Sequence, residues 1–254
     1  MALGAVASTD SEPATFLVDA SVYATSTGTL TFNAGDAATI DMSTAFTIKG
    51  GKNDDAITGG YQGDDIQGGN GANVLSGEEG ADTITAGSGA DTITGGAGAD
   101  IFSYTAVNQS SGTTPDSITD WLSGTDKLSV TLDLSSTVSA QTVNGTITTA
   151  KESVSAAQDS LTGNKGQIVY VTDDETLYIK MTSDNILTSL DYKIGVNSGA
   201  TAATTLAEGD VNWTLTGSST AGNTLTTGGG ADIVTGGAAG DIIVLGGGLD
   251  NYTG

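Results

Sequence analysis

Between residues 55 and 100, aspartate recurs at every ninth position: Asp55, Asp64, Asp82, Asp91 and Asp100, with Asn73 in the one remaining place. The same spacing returns near the end of the chain in Asn223, Asp232, Asp241 and Asp250. Carboxylates set among glycines at a fixed interval are hard oxygen donors without nitrogen or sulfur. Such donors suit Ca2+, which takes about six to eight oxygens in a flexible geometry, and suit transition metals poorly.

Around each aspartate the chain repeats a nine-residue unit without gaps: GGKNDDAIT (50–58), GGYQGDDIQ (59–67), GGNGANVLS (68–76), GEEGADTIT (77–85), AGSGADTIT (86–94) and GGAGADIFS (95–103). The eighth place of the unit is always large and apolar: Ile57, Ile66, Leu75, Ile84, Ile93 and Phe102. Self-similarity at a fixed period marks a solenoid. Glycine allows tight turns with positive φ and keeps side chains away from an approaching ion. The last three residues read as strand, with the middle one facing inward. Six residues of turn and three of strand make half a coil, so residues 18 apart should stack.

The expected stacked pairs are Asp55 with Asn73, Asn73 with Asp91, Asp64 with Asp82, and Asp82 with Asp100. Each pair of turns should supply carboxylates together with carbonyls of turn glycines such as Gly69, Gly71, Gly80, Gly89 and Gly98. Asn73 brings an oxygen without charge, which predicts weaker sites on either side of it. Asn53 and Gln62 replace glycine at the fourth place and predict altered carbonyl geometry in the first two turns. Plain glycine-aspartate turns are the competing reading. Stacked carboxylates without a cation would repel one another, which weighs against it.

These units resemble the RTX family of calcium-binding nonapeptide repeats, G-G-x-G-x-D-x-U-x with U a large apolar residue. The resemblance implies a parallel β-roll with Ca2+ buried between successive turns. The stretch DSITDWLSGTDKLSV (Asp116–Val130) is similar to the segment that follows such rolls in secreted proteases and epimerase modules. It should form a cap in which Ile118, Trp121 and Leu122 cover the apolar end of the roll.

Residues 130–217 read mostly as strand. Gln167–Thr182 alternates on both sides of an Asp-Asp-Glu turn, a hairpin signal. Residues 151–161 and 200–206 are candidate short helices, and TTLAEGDVNWTLTG (204–217) resembles the closing segment of type I-secreted RTX modules. The repeat resumes as SSTAGNTLT (218–226), TGGGADIVT (227–235), GGAAGDIIV (236–244) and LGGGLDNYT (245–253). The chain ends at Gly254, where a further unit would begin, so a fragment of a longer repetitive protein is expected. The expected fold is all-β: parallel β-roll solenoids flanked by β-rich capping segments. Its divisions are a front cap (1–49), a first roll (50–103), a linking module (104–217) and a second, truncated roll (218–254).

The chain of 254 residues has 30 acidic residues against seven basic ones, a formal net charge of −23, which disfavours nucleic acid and anionic membranes as partners. It has no histidine and no cysteine, which removes zinc sites, thiol nucleophiles, Ser-His-Asp triads and disulfides. Carboxylate-pair hydrolysis stays open in principle, but aromatic residues are only 5% of the chain, few for a carbohydrate-cleaving site. The N-terminus has no basic region followed by an apolar core, and no run reaches the length of a transmembrane helix.

The leading expectation is a non-enzymatic, calcium-binding extracellular structural protein, an S-layer or adhesin segment that folds and self-assembles with Ca2+ at the cell surface. Its expected partners are Ca2+, further copies of itself in an oligomer or lattice, and a cell-surface polysaccharide. The alternative is a secretion and folding module of a type I-secreted protease, lipase or alginate epimerase. Ice binding ranks below both, because the outward columns Ala56, Val74, Thr92 and Asp65, Thr83, Ile101 offer no flat threonine array.

Overall fold

The structure, a computed structural model, describes residues 16–19, 29–33, 45–134, 142–145, 151, 153–171, 175–184, 186–188, 190–196, 207–237 and 240–254. Glycine turns leave room only for short strands, which gain their stability by stacking. The front of the chain supplies β1 (Phe16–Asp19), β2 (Thr31–Asn33) and β3 (Phe46–Lys49). The repeats follow with β4 (Ala56–Thr58), β5 (Asp65–Gln67), β6 (Val74–Glu79), β7 (Thr83–Thr85), β8 (Thr92–Ala97) and β9 (Ile101–Tyr104). The linking segment contains β10 (Asp116–Ile118), β11 (Lys127–Asp133), β12 (Thr142–Asn144), a short helix α1 (Val154–Asp159), β13 (Ile168–Val171), β14 (Thr176–Ile179), β15 (Tyr192–Val196) and β16 (Val211–Thr216). The second repeat block closes with β17 (Thr224–Thr226), β18 (Ile233–Thr235), β19 (Ile242–Val244) and β20 (Asn251–Thr253).

These strands form three sheets among the described residues. The first is a nine-stranded parallel sheet in the order β1-β3-β5-β7-β9-β11-β16-β18-β20. The second has eight strands in the order β13-β14-β15-β10-β8-β6-β4-β2, parallel from β15 to β2 and antiparallel across β13, β14 and β15. The third is β12-β17-β19, all parallel. Consecutive units of the first block alternate between the first two sheets. Ile57 therefore stands beside Leu75, and Ile66 beside Ile84, the 18-residue stacking that the spacing predicts. The fold is an all-β solenoid.

The first sheet does not stop where the repeat stops. Phe102 on β9 pairs with Leu128 on β11, Leu128 pairs with Val211 on β16, and Leu215 on β16 pairs with Val234 on β18. Two rungs outside the nonapeptide repeat thus splice the two repeat blocks into one sheet, across the divisions expected at 103/104 and 217/218. Between the sheets runs one apolar column, with Ile48, Ile66, Ile84, Phe102 and Leu128 on one side and Ile57, Leu75, Ile93 and Ile118 on the other, all at most 1% exposed.

The cap differs in part from its expectation. Ile118 and Trp121 are buried, and the Trp121 ring lies 6.0 Å from that of Phe102. Leu122 is instead 58% exposed. Its carbonyl accepts the Thr125 and Asp126 amides while its own amide bonds Asp126 Oδ2, so Leu122 turns the chain and its side chain faces solvent. The expected hairpin is present as β13 and β14, and α1 lies within the expected 151–161 segment, its Ser153 hydroxyl capping the Ala156 amide. The helix expected near 200–206 falls outside the described residues.

Candidate metal centre

Each repeat aspartate ends a glycine turn and precedes a strand residue that faces outward, so its carboxylate points back into the stack of turns. Its Oδ1 accepts the amide of the residue one coil earlier. On one side Leu30 N–H bonds Asp55 Oδ1 at 2.6 Å, Asp55 N–H bonds Asn73 Oδ1 at 2.9 Å, and Asn73 N–H bonds Asp91 Oδ1 at 2.7 Å. On the other side Phe46 N–H bonds Asp64 Oδ1, Asp64 N–H bonds Asp82 Oδ1, and Asp82 N–H bonds Asp100 Oδ1, at 2.7, 2.7 and 2.9 Å. The second block repeats the arrangement: Asn223 N–H donates to Asp241 Oδ1 at 2.8 Å and Asp232 N–H to Asp250 Oδ1 at 3.1 Å. The structure thus brings together all four expected pairs of the first block.

Both columns continue past the repeat. Asp91 N–H donates to Asp116 Oδ1 at 3.0 Å, and Asp100 N–H to Asp126 Oδ1 at 3.2 Å. Sequence reasoning missed Asp116 and Asp126 because they lie 25 and 26 residues onward instead of 18. The signal was present in the cap segment, where Asp116, Ile118 and Asp120 alternate. Asp116 joins the carboxylate column, Ile118 joins the apolar column, and the Asp120 oxygens accept the Gly95 and Gly96 amides at 2.9 and 2.7 Å.

The second oxygen of each carboxylate separates the turns into classes. In the first two units it is tied to the unit's own backbone: Gly51 N–H to Asp55 Oδ2 at 2.6 Å and Gly60 N–H to Asp64 Oδ2 at 2.7 Å. Those are the units with Asn53 and Gln62 at the fourth place, and neither residue takes a positive φ. Where the fourth place is Gly71, Gly80, Gly89 or Gly98, φ is 102°, 121°, 144° and 153°. In the last three units Asp82, Asp91 and Asp100 have a buried Oδ2 without a partner, as do Asp116 and Asp232.

A buried, unpaired carboxylate oxygen is costly, and the carboxyls respond accordingly. Burial, then repulsion from Asp100 and Asp64, pushes Asp82 up to about 7 against the Asp64 amide bond that lowers it. Asp91 is pushed to about 6, mainly by burial. Asp64, Asp100 and Asp232 are raised as well, again chiefly by burial.

These features fit a bound Ca2+. A Cβ placed on Gly77 would run into both Asp82 Oδ2 and the Gly95 carbonyl, so a charged oxygen and a neutral one converge over a bare glycine. Gly59 and Gly50 form the same cradle with Asp64 and Gly77, and with Asp55 and Gly68. No three acidic side chains cluster at one point among the described residues, so a cation held here would draw on backbone oxygens as well as carboxylates. Of the expected carbonyl donors, Gly69 O already accepts Ser88 N–H at 2.8 Å and Gly71 O accepts the Asn73 amide at 3.2 Å.

The asparagines use their second side-chain atom differently from the aspartates. Asn73 gives its oxygen to Asp55 N–H, and its Nδ2 reaches the Gly71 and Ala86 carbonyls at 3.2 and 3.4 Å. Asn223 Nδ2 likewise reaches the Ala221 carbonyl at 2.9 Å and Asp241 Oδ1 at 3.0 Å. An amide N–H thus stands where Asp82, Asp91 and Asp100 leave an oxygen free. Each asparagine bonds a carbonyl of its own turn and an oxygen of the next coil.

The family model of the RTX calcium-binding nonapeptide repeat matches residues 47–75, 67–102 and 218–252. Among curated proteins no relative matches the chain. Among solved structures, the AlgE6R3 subunit of the Azotobacter vinelandii mannuronan C5-epimerase is similar at 21% identity, over 61% of this chain and 83% of that one, with a TM-score of 0.36. Both repeat blocks therefore carry RTX calcium-binding nonapeptide repeats, which bind Ca2+ between their turns.

Proposed function

We propose that this chain is a calcium-ordered structural segment of an extracellular surface protein, of the S-layer or adhesin kind, which folds and associates with its own copies when it meets Ca2+ outside the cell. The observation that carries the reading is the nine-stranded parallel sheet that passes through both repeat blocks and the segment between them. A module whose only task is to help a neighbouring domain fold has no need of a splice that turns two rolls into one continuous stack. Repeated rungs of this kind accept more rungs. The last strands present Ile242, Val244 and Tyr252 at 62%, 49% and 51% exposure, a surface suited to a further parallel strand from another copy.

The carboxylate columns support the same reading. A Ca2+-poor cytosol leaves them uncompensated and the chain unfolded for export, whereas millimolar extracellular Ca2+ neutralises them. The net charge of −23 opposes contact between copies until divalent cations bridge it.

The test is a Ca2+ titration of the purified protein followed by light scattering and electron microscopy. Ordered assemblies that appear with millimolar Ca2+, dissolve in EGTA and form far less with Mg2+ are expected, since Mg2+ gives up its waters reluctantly. A chain that folds with Ca2+ and stays monomeric at high concentration would instead favour a folding and secretion module of an exported enzyme.

A further inference from the structure

Four buried polar groups gather where the first roll meets the linking segment, and the nonapeptide pattern accounts for only one of them. Asp91 belongs to the last repeat unit on its side. Asp116, Tyr104 and Tyr192 lie beyond the residues that match the repeat. Asp91 and Asp116 are linked by the bond from Asp91 N–H to Asp116 Oδ1, and each has an Oδ2 without a partner. The Tyr104 and Tyr192 hydroxyls are also without partners, although the two residues are 1% and 0% exposed. Their rings meet edge to face with centroids 5.7 Å apart. The Tyr104 hydroxyl faces the Asp116 carboxylate closely enough to interact with it, and Asp91 lies within reach as well.

We propose that these groups form a divalent-cation site outside the repeats, with Asp91 and Asp116 as the charged ligands and the Tyr104 hydroxyl as a neutral one. The donor set is all oxygen and carries two negative charges, which selects Ca2+ over softer metals. The ordinary repeat site takes both of its halves from glycine turns. Here one half comes from a segment held in place from the other direction. The Asp116 amide donates to the Ser110 hydroxyl at 2.8 Å, that hydroxyl donates to the Lys193 carbonyl at 2.6 Å, and β10 pairs with β15 through Asp116 and Ile194. The cation would therefore staple the antiparallel β13-β14-β15 unit to the roll.

The inference rests on Ca2+ binding by the repeats, and the test separates the two. Bound Ca2+ per chain is counted by equilibrium dialysis with elemental analysis on the whole protein, for wild type, Asp116→Asn and Tyr104→Phe. Circular dichroism in Ca2+ reports the fold of each. Asp116→Asn keeps the oxygen that receives Asp91 N–H and is expected to lose one Ca2+ per chain while the others remain. Tyr104→Phe keeps the ring and is expected to weaken one site about tenfold. Terbium used as a Ca2+ probe should also lose part of its tyrosine-sensitised emission in Tyr104→Phe. If both variants bind as many ions as wild type with unchanged affinity, the cluster holds water or a shared proton and the proposal falls. Should Asp116→Asn fail to fold, Tyr104→Phe decides alone. A wild type that binds no Ca2+ would overturn the reading of the repeats as well.

Discussion

Asp82 and Asp55 occupy the same place in the repeat but have different surroundings. Asp82 stands between Asp64 and Asp100, and its Oδ2 is unpaired. Asp55 has its Oδ2 tied to the Gly51 amide and Asn73 as its neighbour in the column. Asp82→Ala should therefore lose more Ca2+ in a calorimetric titration than Asp55→Ala, and equal losses would contradict the division of the turns into two classes. The opposite change is informative as well. Asn73→Asp replaces the amide N–H that reaches the Gly71 and Ala86 carbonyls with a charged oxygen, and should add Ca2+ binding on that face. Protonation acts on the same atoms. Unfolded carboxyls titrate near 3.8, whereas folded Asp91 and Asp82 sit at about 6 and about 7. Between those values the folded state holds more protons, so in a chelator the stability these two groups contribute is full below about pH 4 and is lost as pH rises through 6 to 7. With Ca2+ present the trend reverses, because the ion binds only ionised carboxylates. Urea unfolding at several pH values, with EGTA and with Ca2+, checks both signs.

The turn and the strand are the elements, and glycine sets the geometry of the turn. A Cβ on Gly98, where φ is 153°, would collide with the Gly80 carbonyl of the coil beneath. Gly98→Ala should cost about 3 kcal/mol or more, since strain and collision act together. Gly124 also has a positive φ, 82°, but open space around it, so Gly124→Ala should cost only about 1 kcal/mol. Chemical denaturation of the pair in Ca2+ separates collision from strain. The repeat elements were legible because their period is unbroken: a carboxylate every nine residues and an apolar residue two places later fix both columns and the alternation of faces. That β11 and β16 continue the same sheet was not legible, because neither keeps the nine-residue period and the residues between them form other structure. Leu122 could not be read correctly either, since a leucine whose backbone turns the chain looks in sequence like one that covers a core. The β13-β14-β15 unit has its own anchor. Lys180 and Asp191 are both fully buried and paired at 3.1 Å, and Asp191 also accepts the Met181, Thr182 and Thr188 amides. Asp191→Ala would leave the buried lysine with only the half-exposed Asp184 carboxylate, at 2.7 Å, and should cost about 3 kcal/mol, measurable as a lowered urea midpoint.

For the whole molecule, the balance between core and charge decides whether it folds. Five of the six units of the first block pair one large buried apolar side chain with at least one carboxylate, so there the core grows no faster than the electrostatic cost. A Ca2+ site with a Kd on the order of 10⁻⁴ M, in roughly 1–10 mM Ca2+, contributes about 1.4–2.7 kcal/mol. A few such sites match the entire stability of an ordinary domain, about 5–15 kcal/mol. Strand signal in circular dichroism should thus fall in EGTA at neutral pH, return with Ca2+, and return in part on acidification without it. A spectrum indifferent to both treatments would mean that the apolar column alone sustains the stack.

The order of the first sheet has a mechanical consequence. β1 and β20 lie at its two edges, eight rungs apart, about 38 Å at the usual spacing of parallel strands. Tension applied through those two strands pulls across the rungs, not along them, and loads the hydrogen bonds of one rung at a time. Peeling of that kind yields at low force and re-forms rung by rung. The splice at β11 and β16 gives the pulled edge no gap at which to part wholesale, and a cation clamped between turns raises the force at its own rung. Tether such a chain between two fixed points, and it should behave as a calcium-stiffened spring that lengthens in small steps and recoils when released.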